Sequence, residues 1–412
     1  MKKVKRRKKW CKFRHKIIFS MVRGILTPVS KLLYGVKVKK FSEPTGKKQR
    51  QYLIIFNHQT AFDQFFVSMA FKNPVYYLAS EDLFSNGFVS KLIRYLVAPI
   101  PIKKQTTDMK AVFDCTRVAK EGGTIALAPE GNRTYSGKTE YFKSSIVKLI
   151  RLVNLPLAIF LIKGGYGVQP RWSDVRRKGS LHAGVSRIVE PEEYKNLTDE
   201  QLYELIKSSL YVFEGKDTGV YKHKKSAEYL ERAMYVCPEC GFSEFYSKNN
   251  KIYCKNCDLF AEYLANKGLK WNKENVRLDF VNDWYEYQNA FINGKDTLSF
   301  TDSPLYTEVV SLKEVLLYKR KVLLSKKAKV SLYGNKITAE YKKGKKNVAI
   351  AFDFDTTTAV TVLGRNKVNV YFNERVFQIK GSKRMNALKY VNLFYRAKTL
   401  KGENEYAGFL GL

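Results

Sequence analysis

Histidine is scarce in this chain, with four residues in 412, so each can be weighed on its neighbours. His15 falls in a basic arm, His182 in a strand-like segment and His223 in a linker. None of the three has a second motif around it, and they read as structural or solvated. Acids are also few: 38 Asp+Glu stand against 74 Lys+Arg, a formal net charge of +36. The first fifty residues hold one acid, Glu43, against 18 Lys and Arg. Such an excess attracts polyanions, either nucleic acid or anionic lipid, and charge alone does not choose between them. No run of 18 or more apolar residues occurs, so no bilayer-spanning helix is expected. The nearest stretch, 17–36, is interrupted by Arg23, Pro28 and Lys31, and it lacks the small-residue cleavage site of a signal peptide. Cysteine is sparse outside one short window. Cys11 and Cys115 stand alone as ordinary thiols, and the other four lie between 237 and 257. There is no internal repeat.

What is present is enough to fold. Hydrophobic residues make up 45% of the chain, and 27 Tyr with 26 Phe suit sheets and interfaces. At this length two or three domains are expected. Ile18, Met21, Val22, Ile25, Val29, Leu32 and Leu33 recur at roughly helical spacing. With the polybasic residues 1–16, that pattern predicts a helix lying in a lipid interface; a helix packed on its own domain is the competing reading.

Between 51 and 213 short apolar runs alternate with helical patterns. Strands are predicted at 52–56, 75–79, 100–103, 124–127 and 157–162, and helices at 64–71, 86–97, 108–120 and 143–153. The alternation argues for an α/β domain with a mostly parallel or mixed sheet flanked by helices, whose active site sits at the carboxyl ends of strands. Thr198 and Gln201 have capping-box spacing at the start of a further helix. Residues 216–235 read as a linker and 236–266 as a small metal module. From 267 to 412 many short strand-like runs, separated by turn signals, end in a helical pattern at 383–398. That order suggests a small barrel or sandwich plugged by the last helix.

Two constellations carry chemistry. The first, Asn57-His58-Gln59-Thr60-Ala61-Phe62-Asp63, follows the strand 52–56 directly. On a regular helix five residues place two side chains about 140° apart. His58 and Asp63 can therefore meet only if His58 sits in the turn and Asp63 enters the helix. An Asp on one imidazole nitrogen fixes the tautomer and leaves the other nitrogen to take a proton, with a substrate hydroxyl as nucleophile. The second, Ala128-Pro129-Glu130-Gly131-Asn132-Arg133-Thr134, follows the strand 124–127. It offers a carboxylate, a glycine that permits close backbone approach and an arginine suited to phosphate. Taken singly, each also reads as an ordinary turn with a structural histidine or an ion pair.

Taken together and in order, these blocks resemble the glycerolipid acyltransferase family, the group that contains the lysophosphatidic acid acyltransferases, with its N-H-x4-D and P-E-G-x-R signatures. Two weaker blocks also match in order, Ala98-Pro99-Ile100-Pro101-Ile102-Lys103-Lys104 and Leu155-Pro156-Leu157-Ala158-Ile159. The resemblance covers about residues 50–215. It implies that His58 deprotonates an acceptor hydroxyl and that Asp63 holds His58. The hydroxyl then attacks an acyl thioester directly, the donor being acyl-CoA or acyl carrier protein. Glu130, Gly131 and Arg133 would bind a lysophospholipid acceptor, with Arg133 on its phosphate and Lys104 assisting. Ala98 and Lys104 depart from the Gly and Arg of the family's second block. Lys neutralises phosphate without forming a fork, which bears on acceptor identity. The resemblance requires no organic cofactor, and it gives residues 51–215 as the acyltransferase domain. It makes sense of residues 1–50 as a basic amphipathic segment on the cytoplasmic face of a membrane, peripheral or monotopic.

The third constellation is Cys237-Pro238-Glu239-Cys240 with Cys254-Lys255-Asn256-Cys257. Two C-x-x-C knuckles flanking a short hairpin form a zinc-ribbon pattern, and a closed four-thiolate site is structural. Iron in a rubredoxin-like site is the alternative. All six thiols fit a reduced setting. By element order alone, 267–412 is similar to the pleckstrin-homology-like superfold. The competing class, a basic zinc-ribbon protein that binds nucleic acid or a membrane, explains the charge but leaves four ordered blocks as coincidence.

Overall fold

The computed structural model describes residues 9–43, 50–102, 108–216 and 219–412. The chain divides into two interleaved units: 1–131, 143–163 and 181–212 form the first, and 132–142, 164–180 and 213–412 the second.

The first unit is built on seven strands: β1 (Val36–Val38), β2 (Leu53–Phe56), β3 (Val75–Ser80), β4 (Ile100–Ile102), β5 (Thr124–Leu127), β6 (Leu157–Lys163) and β7 (Leu181–Val189). They lie in the order β1-β7-β6-β2-β5-β3-β4. Every pairing is parallel except β6 with β7. The central strands are covered on both faces. Leu53, Ile54 and Ile55 are fully buried, as are Ile125 and Ala126, which is why these runs are continuously apolar rather than alternating. The helices are α1 (Phe13–Tyr34), α2 (Asp63–Ala70), α3 (Phe88–Val97), α4 (Met109–Lys120) and α5 (Ile146–Val153). After a single turn α6 (Gly165–Val168) in the other unit come α7 (Pro191–Lys195) and α8 (Asp199–Leu210). At the head of α8, Thr198 Oγ1 accepts from Gln201 N–H at 3.2 Å, and Gln201 Oε1 accepts from Thr198 N–H at 2.9 Å.

The topology sets the site. From β2 the chain runs through α2 to β3 on one side; from β5 it crosses through α5 to β6 on the other. Leu53 pairs with Ile125 and Ile55 with Leu127, so the loops that follow β2 and β5 leave the same sheet edge side by side.

The expected N-terminal helix is present as α1, which runs 22 residues and contains Arg23, Pro28 and Lys31; the expectation that no helix here is of spanning length needs correction. By length and composition it is long and apolar enough to cross a membrane. Arg23 turns back to donate to the Phe71 carbonyl at 2.9 Å, and Pro28 is held inside a helix that ends on Gly35 at φ 60°.

The second unit carries three sheets and two long helices. β8 (Val236–Cys237) pairs with β9 (Gly241–Phe242). β10 (Phe245–Lys248), β11 (Lys251–Cys254), β12 (Phe260–Tyr263) and β13 (Leu269–Trp271) form an antiparallel meander. β14 (Tyr306–Leu316), β15 (Arg320–Leu332), β16 (Lys336–Lys343) and β17 (Lys346–Asp353) form one further run, and β18 (Thr357–Leu363), β19 (Lys367–Phe372) and β20 (Arg375–Lys380) another. Pairing of β14 with β20 joins the two runs into a seven-stranded antiparallel half-barrel. α10 (Leu388–Leu400) packs against β18, and its Phe394 meets Phe354, in the turn before that strand, edge to face. α9 (Val281–Asn293), which the sequence reading did not separate from the strands, is the other long helix.

Candidate active site

His58 sits in the loop after β2, and Asp63 is the first residue of α2. That junction closes the angular gap a continuous helix would leave, and His58 Nδ1 lies 2.8 Å from Asp63 Oδ2. Asp63 is fully buried. A buried carboxylate is tolerable only when its oxygens are met by donors, and here they are. The Gln59 N–H donates to Oδ2 at 2.6 Å. The Thr60 N–H donates to Oδ1 at 2.9 Å and the Thr60 hydroxyl to the same oxygen at 2.7 Å. The spacing of Thr60 and Asp63 is that of a capping box, a signal in the sequence that could have identified Thr60. With Nδ1 donating to the carboxylate, Nε2 is the basic atom of His58. The His58 side chain is a quarter exposed, so its ring is reachable.

Two neighbours hold this loop. The Asn57 side chain donates to the Ile162 carbonyl at 2.8 Å and accepts from the Ile162 N–H at 2.8 Å, pinning the end of β2 to β6. The sequence pattern contained Asn57 but assigned it no task. From the loop after β5, the buried Glu130 accepts from the His58 N–H through Oε1 at 2.7 Å. Its carboxylate thus ties the two loops together at the His58 amide. Gly131 follows at φ 63°, closing a turn in which its N–H meets the Ala128 carbonyl at 3.1 Å. That backbone conformation favours glycine.

The block 129–133 then passes from one unit to the other. Asn132 and Arg133 belong to the second unit, where the buried Arg171 donates to the Arg133 carbonyl at 3.0 Å and to Asn132 Oδ1 at 3.4 Å. Arg171 also lies over the Tyr135 ring, 4.5 Å from its centroid. No motif pointed to Arg171. Lys104 lies outside the described residues. In the same block Ala98 ends α3 at φ 42°, ψ 54°, a left-handed residue where the family pattern has glycine.

The four cysteines converge. Sγ atoms of Cys237, Cys240, Cys254 and Cys257 all lie within 4.8 Å of one another, with Cys237 to Cys257 and Cys240 to Cys254 at 3.6 Å. Four sulfurs at a Zn–S length of about 2.3 Å around a tetrahedral ion would stand about 3.8 Å apart, so the donor set fits zinc. Burial pushes the Cys237 thiol up, and the Cys240 thiol up to about 11. Burial acts the same way on Cys254, but the Ser243 hydroxyl and the N–H groups of Asn256 and Cys257 outweigh it, bringing that thiol down to about 7. When bound, a divalent ion would be held by all four as thiolates in a closed, structural site. α9 supports the first knuckle. Gln288 Oε1 accepts from the N–H of Tyr235 and of Val236, and Trp284 Nε1 donates to the Val236 carbonyl at 2.8 Å.

Residues 37–163 match the protein family described as Acyltransferase. The 1-acyl-sn-glycerol-3-phosphate acyltransferase of Borreliella burgdorferi is 26% identical over 136 residues, 32% of this chain and 54% of that protein. The chain thus spans about half the length of the curated relative it matches. The crystal structure of the 1-acyl-sn-glycerophosphate (LPA) acyltransferase PlsC from Thermotoga maritima aligns over 48% of this chain and 78% of that one, at 20% identity and a TM-score of 0.40. Residues 37–163 are therefore similar to an acyltransferase domain and, at low identity, to 1-acyl-sn-glycerol-3-phosphate acyltransferase.

Proposed function

We propose that the protein transfers a fatty acyl group from acyl-CoA or acyl carrier protein to a hydroxyl of a lysophospholipid, lysophosphatidic acid being the first acceptor to test. The observation that carries this reading is the contact of His58 Nδ1 with the buried, fully donor-satisfied Asp63. In this mechanism His58 Nε2 takes the proton of the acceptor hydroxyl as its oxygen attacks the thioester carbonyl. The tetrahedral intermediate collapses with cleavage of the C–S bond, and the proton on Nε2 passes to the departing thiolate. Asp63 fixes the tautomer and opposes the charge that builds on the ring. Asn57 and Glu130 are positioning residues, because each holds the backbone beside His58. Gly131, Arg133 and Lys104 are proposed to contact the acceptor, the two cations meeting its phosphate.

The relation to Borreliella burgdorferi 1-acyl-sn-glycerol-3-phosphate acyltransferase supports the acceptor class. The exposed apolar helix α1 supports action at a membrane, where both substrates partition. Zinc at the four cysteines is proposed as a structural ion, and the half-barrel as a pleckstrin-homology-like module. The test is turnover of lysophosphatidic acid with acyl-CoA and with acyl carrier protein, in the parent and in His58→Ala. The reading stands if the parent forms phosphatidic acid and the variant does not. Equal rates would remove it. Arg133→Ala is expected to raise the KM for acceptor more than it lowers kcat.

A further inference from the structure

The strongest feature outside the catalytic loops is apolar surface left in solvent by helices that belong to the folded first unit. On α1 the residues Phe13, Ile17, Met21, Ile25, Val29 and Leu32 recur at steps of four residues and, at the last, three, and are all exposed, Leu32 to 86%. That stripe alone describes an interfacial helix. α3 shows the same property with no such origin in the N-terminal arm. Phe88, Val89, Leu92 and Tyr95 are all exposed, Phe88 to 77%, and of its ten residues only Ser90 is buried. A ten-residue helix is far too short to span a bilayer, which takes about 20 residues. Its apolar surface is either a cost carried for nothing or a contact surface.

The two helices are fastened together. Arg14 of α1 donates to the Tyr95 carbonyl at 3.2 Å, and its guanidinium stacks 3.9 Å from the centre of the Tyr95 ring. Just before α1, Trp10 Nε1 donates to the Ala98 carbonyl at 2.9 Å, beyond the end of α3. The start of α1 and the end of α3 therefore move as one body.

Charge indicates what covers them. Neither helix contains an acid: α1 carries Arg14, Lys16, Arg23 and Lys31, and α3 carries Lys91 and Arg94. A partner protein surface would ordinarily supply carboxylates to such helices at specific points. A bilayer with anionic head groups supplies diffuse negative charge above an apolar layer, which matches cations interleaved with large apolar side chains.

We propose that α3 is a second lipid-docking element, seated in the head-group region beside α1, and that this two-helix contact orients the first unit on an anionic membrane. The proposal deepens the membrane-surface reading above, but its test does not depend on catalysis. The experiment is flotation of the full chain with vesicles of phosphatidylcholine containing 30% phosphatidylglycerol, about a third anionic lipid. It compares the parent with Phe88→Ser/Leu92→Ser and with Met21→Ser/Ile25→Ser. Both targeted pairs are exposed, and thermal melts of each variant check that the fold is retained. Each large apolar side chain removed from the interface is expected to weaken partitioning about tenfold, so the α3 pair loses on the order of a hundredfold. Partitioning that is unchanged in the α3 pair while the α1 pair releases the protein would overturn the proposal. So would a parent dimer in vesicle-free buffer that the α3 pair dissociates, because the face would then cover a second copy. Absence of acyl transfer by the parent alongside normal flotation would count against the catalytic reading alone and leave the α3 contact supported.

Discussion

Asp63→Asn separates charge from geometry at the catalytic loop. In the parent, Oδ2 accepts from His58 Nδ1, the Gln59 N–H and, at 3.0 Å, the Thr60 N–H, while Oδ1 takes the Thr60 hydroxyl. An asparagine with its oxygen in the Oδ2 position keeps the His58 and Gln59 partners and the 3.0 Å limb of the forked Thr60 N–H, and loses the 2.9 Å limb to Oδ1. The Thr60 hydroxyl can rotate and accept from the new amide. The loop is thus expected to hold its shape, with a stability loss of about 1 kcal/mol for the lost limb of the Thr60 N–H. What disappears is the negative charge beside a ring that, in the proposed mechanism, becomes cationic as it takes the acceptor proton. At a charge separation of about 4 Å and an effective dielectric constant near 20, that is about 4 kcal/mol, or roughly three decades in kcat. The assay is steady-state acyl transfer at saturating donor and acceptor, with a thermal melt on the same sample. A kcat within tenfold of the parent, at an unchanged melting temperature, would refute the reasoning. The contrast is Asp63→Ala, which strips the acceptor from three N–H groups at once. Each buried donor left unmet costs about 1–3 kcal/mol, so this variant is expected to lose stability as well as activity.

Three further outcomes follow from the geometry. Ala98→Gly should raise stability by about 1 kcal/mol, read as a higher urea midpoint, because the left-handed cap of α3 penalises a Cβ; a lower midpoint would mean that the cap is unstrained. Metal analysis should find about one zinc per chain, and removal by a strong chelator should lower the melting temperature, whereas a chain with no metal and an unaltered melt would reject the ribbon. Asp174 is pushed up by burial, but the fork from Arg232 and the nearby Arg365 outweigh this and hold its carboxyl below the usual range. A depressed folded pKa gives stability that is present above the unfolded value and is lost as pH falls through the folded one. Asp174→Asn should therefore melt lower than the parent at neutral pH and converge with it in acid. A gap that stays constant with pH would exclude the ion pair as its source.

Much of the candidate site's geometry could be read in the residues themselves because it is local. His58, Asp63 and Thr60 lie within six residues, and a strand-to-helix junction suffices to bring them together. The paired C-x-x-C knuckles are local in the same sense, as is the Thr198 cap. Strands β2 to β6 also follow from short-range pattern, as apolar runs bounded by helical segments, whereas β1 and β7 were not among the predicted strands. α9 was missed because the centre of its buried face is carried by Trp284, Tyr285 and Gln288, with the aliphatics Val281 and Ile292 only at its two ends.

What only the tertiary structure decided are the contacts across long separations. Glu130 reaches the His58 amide over 72 residues and Asn57 reaches Ile162 over 105, because the strand order sets β2 between β5 and β6. No spacing rule encodes that adjacency; it arises from burying both faces of one sheet. The exposure of the apolar faces of α1 and α3 belongs to the same class. A linear pattern shows which side chains are apolar. Whether they face a core or are left outward depends on what the rest of the chain packs against them.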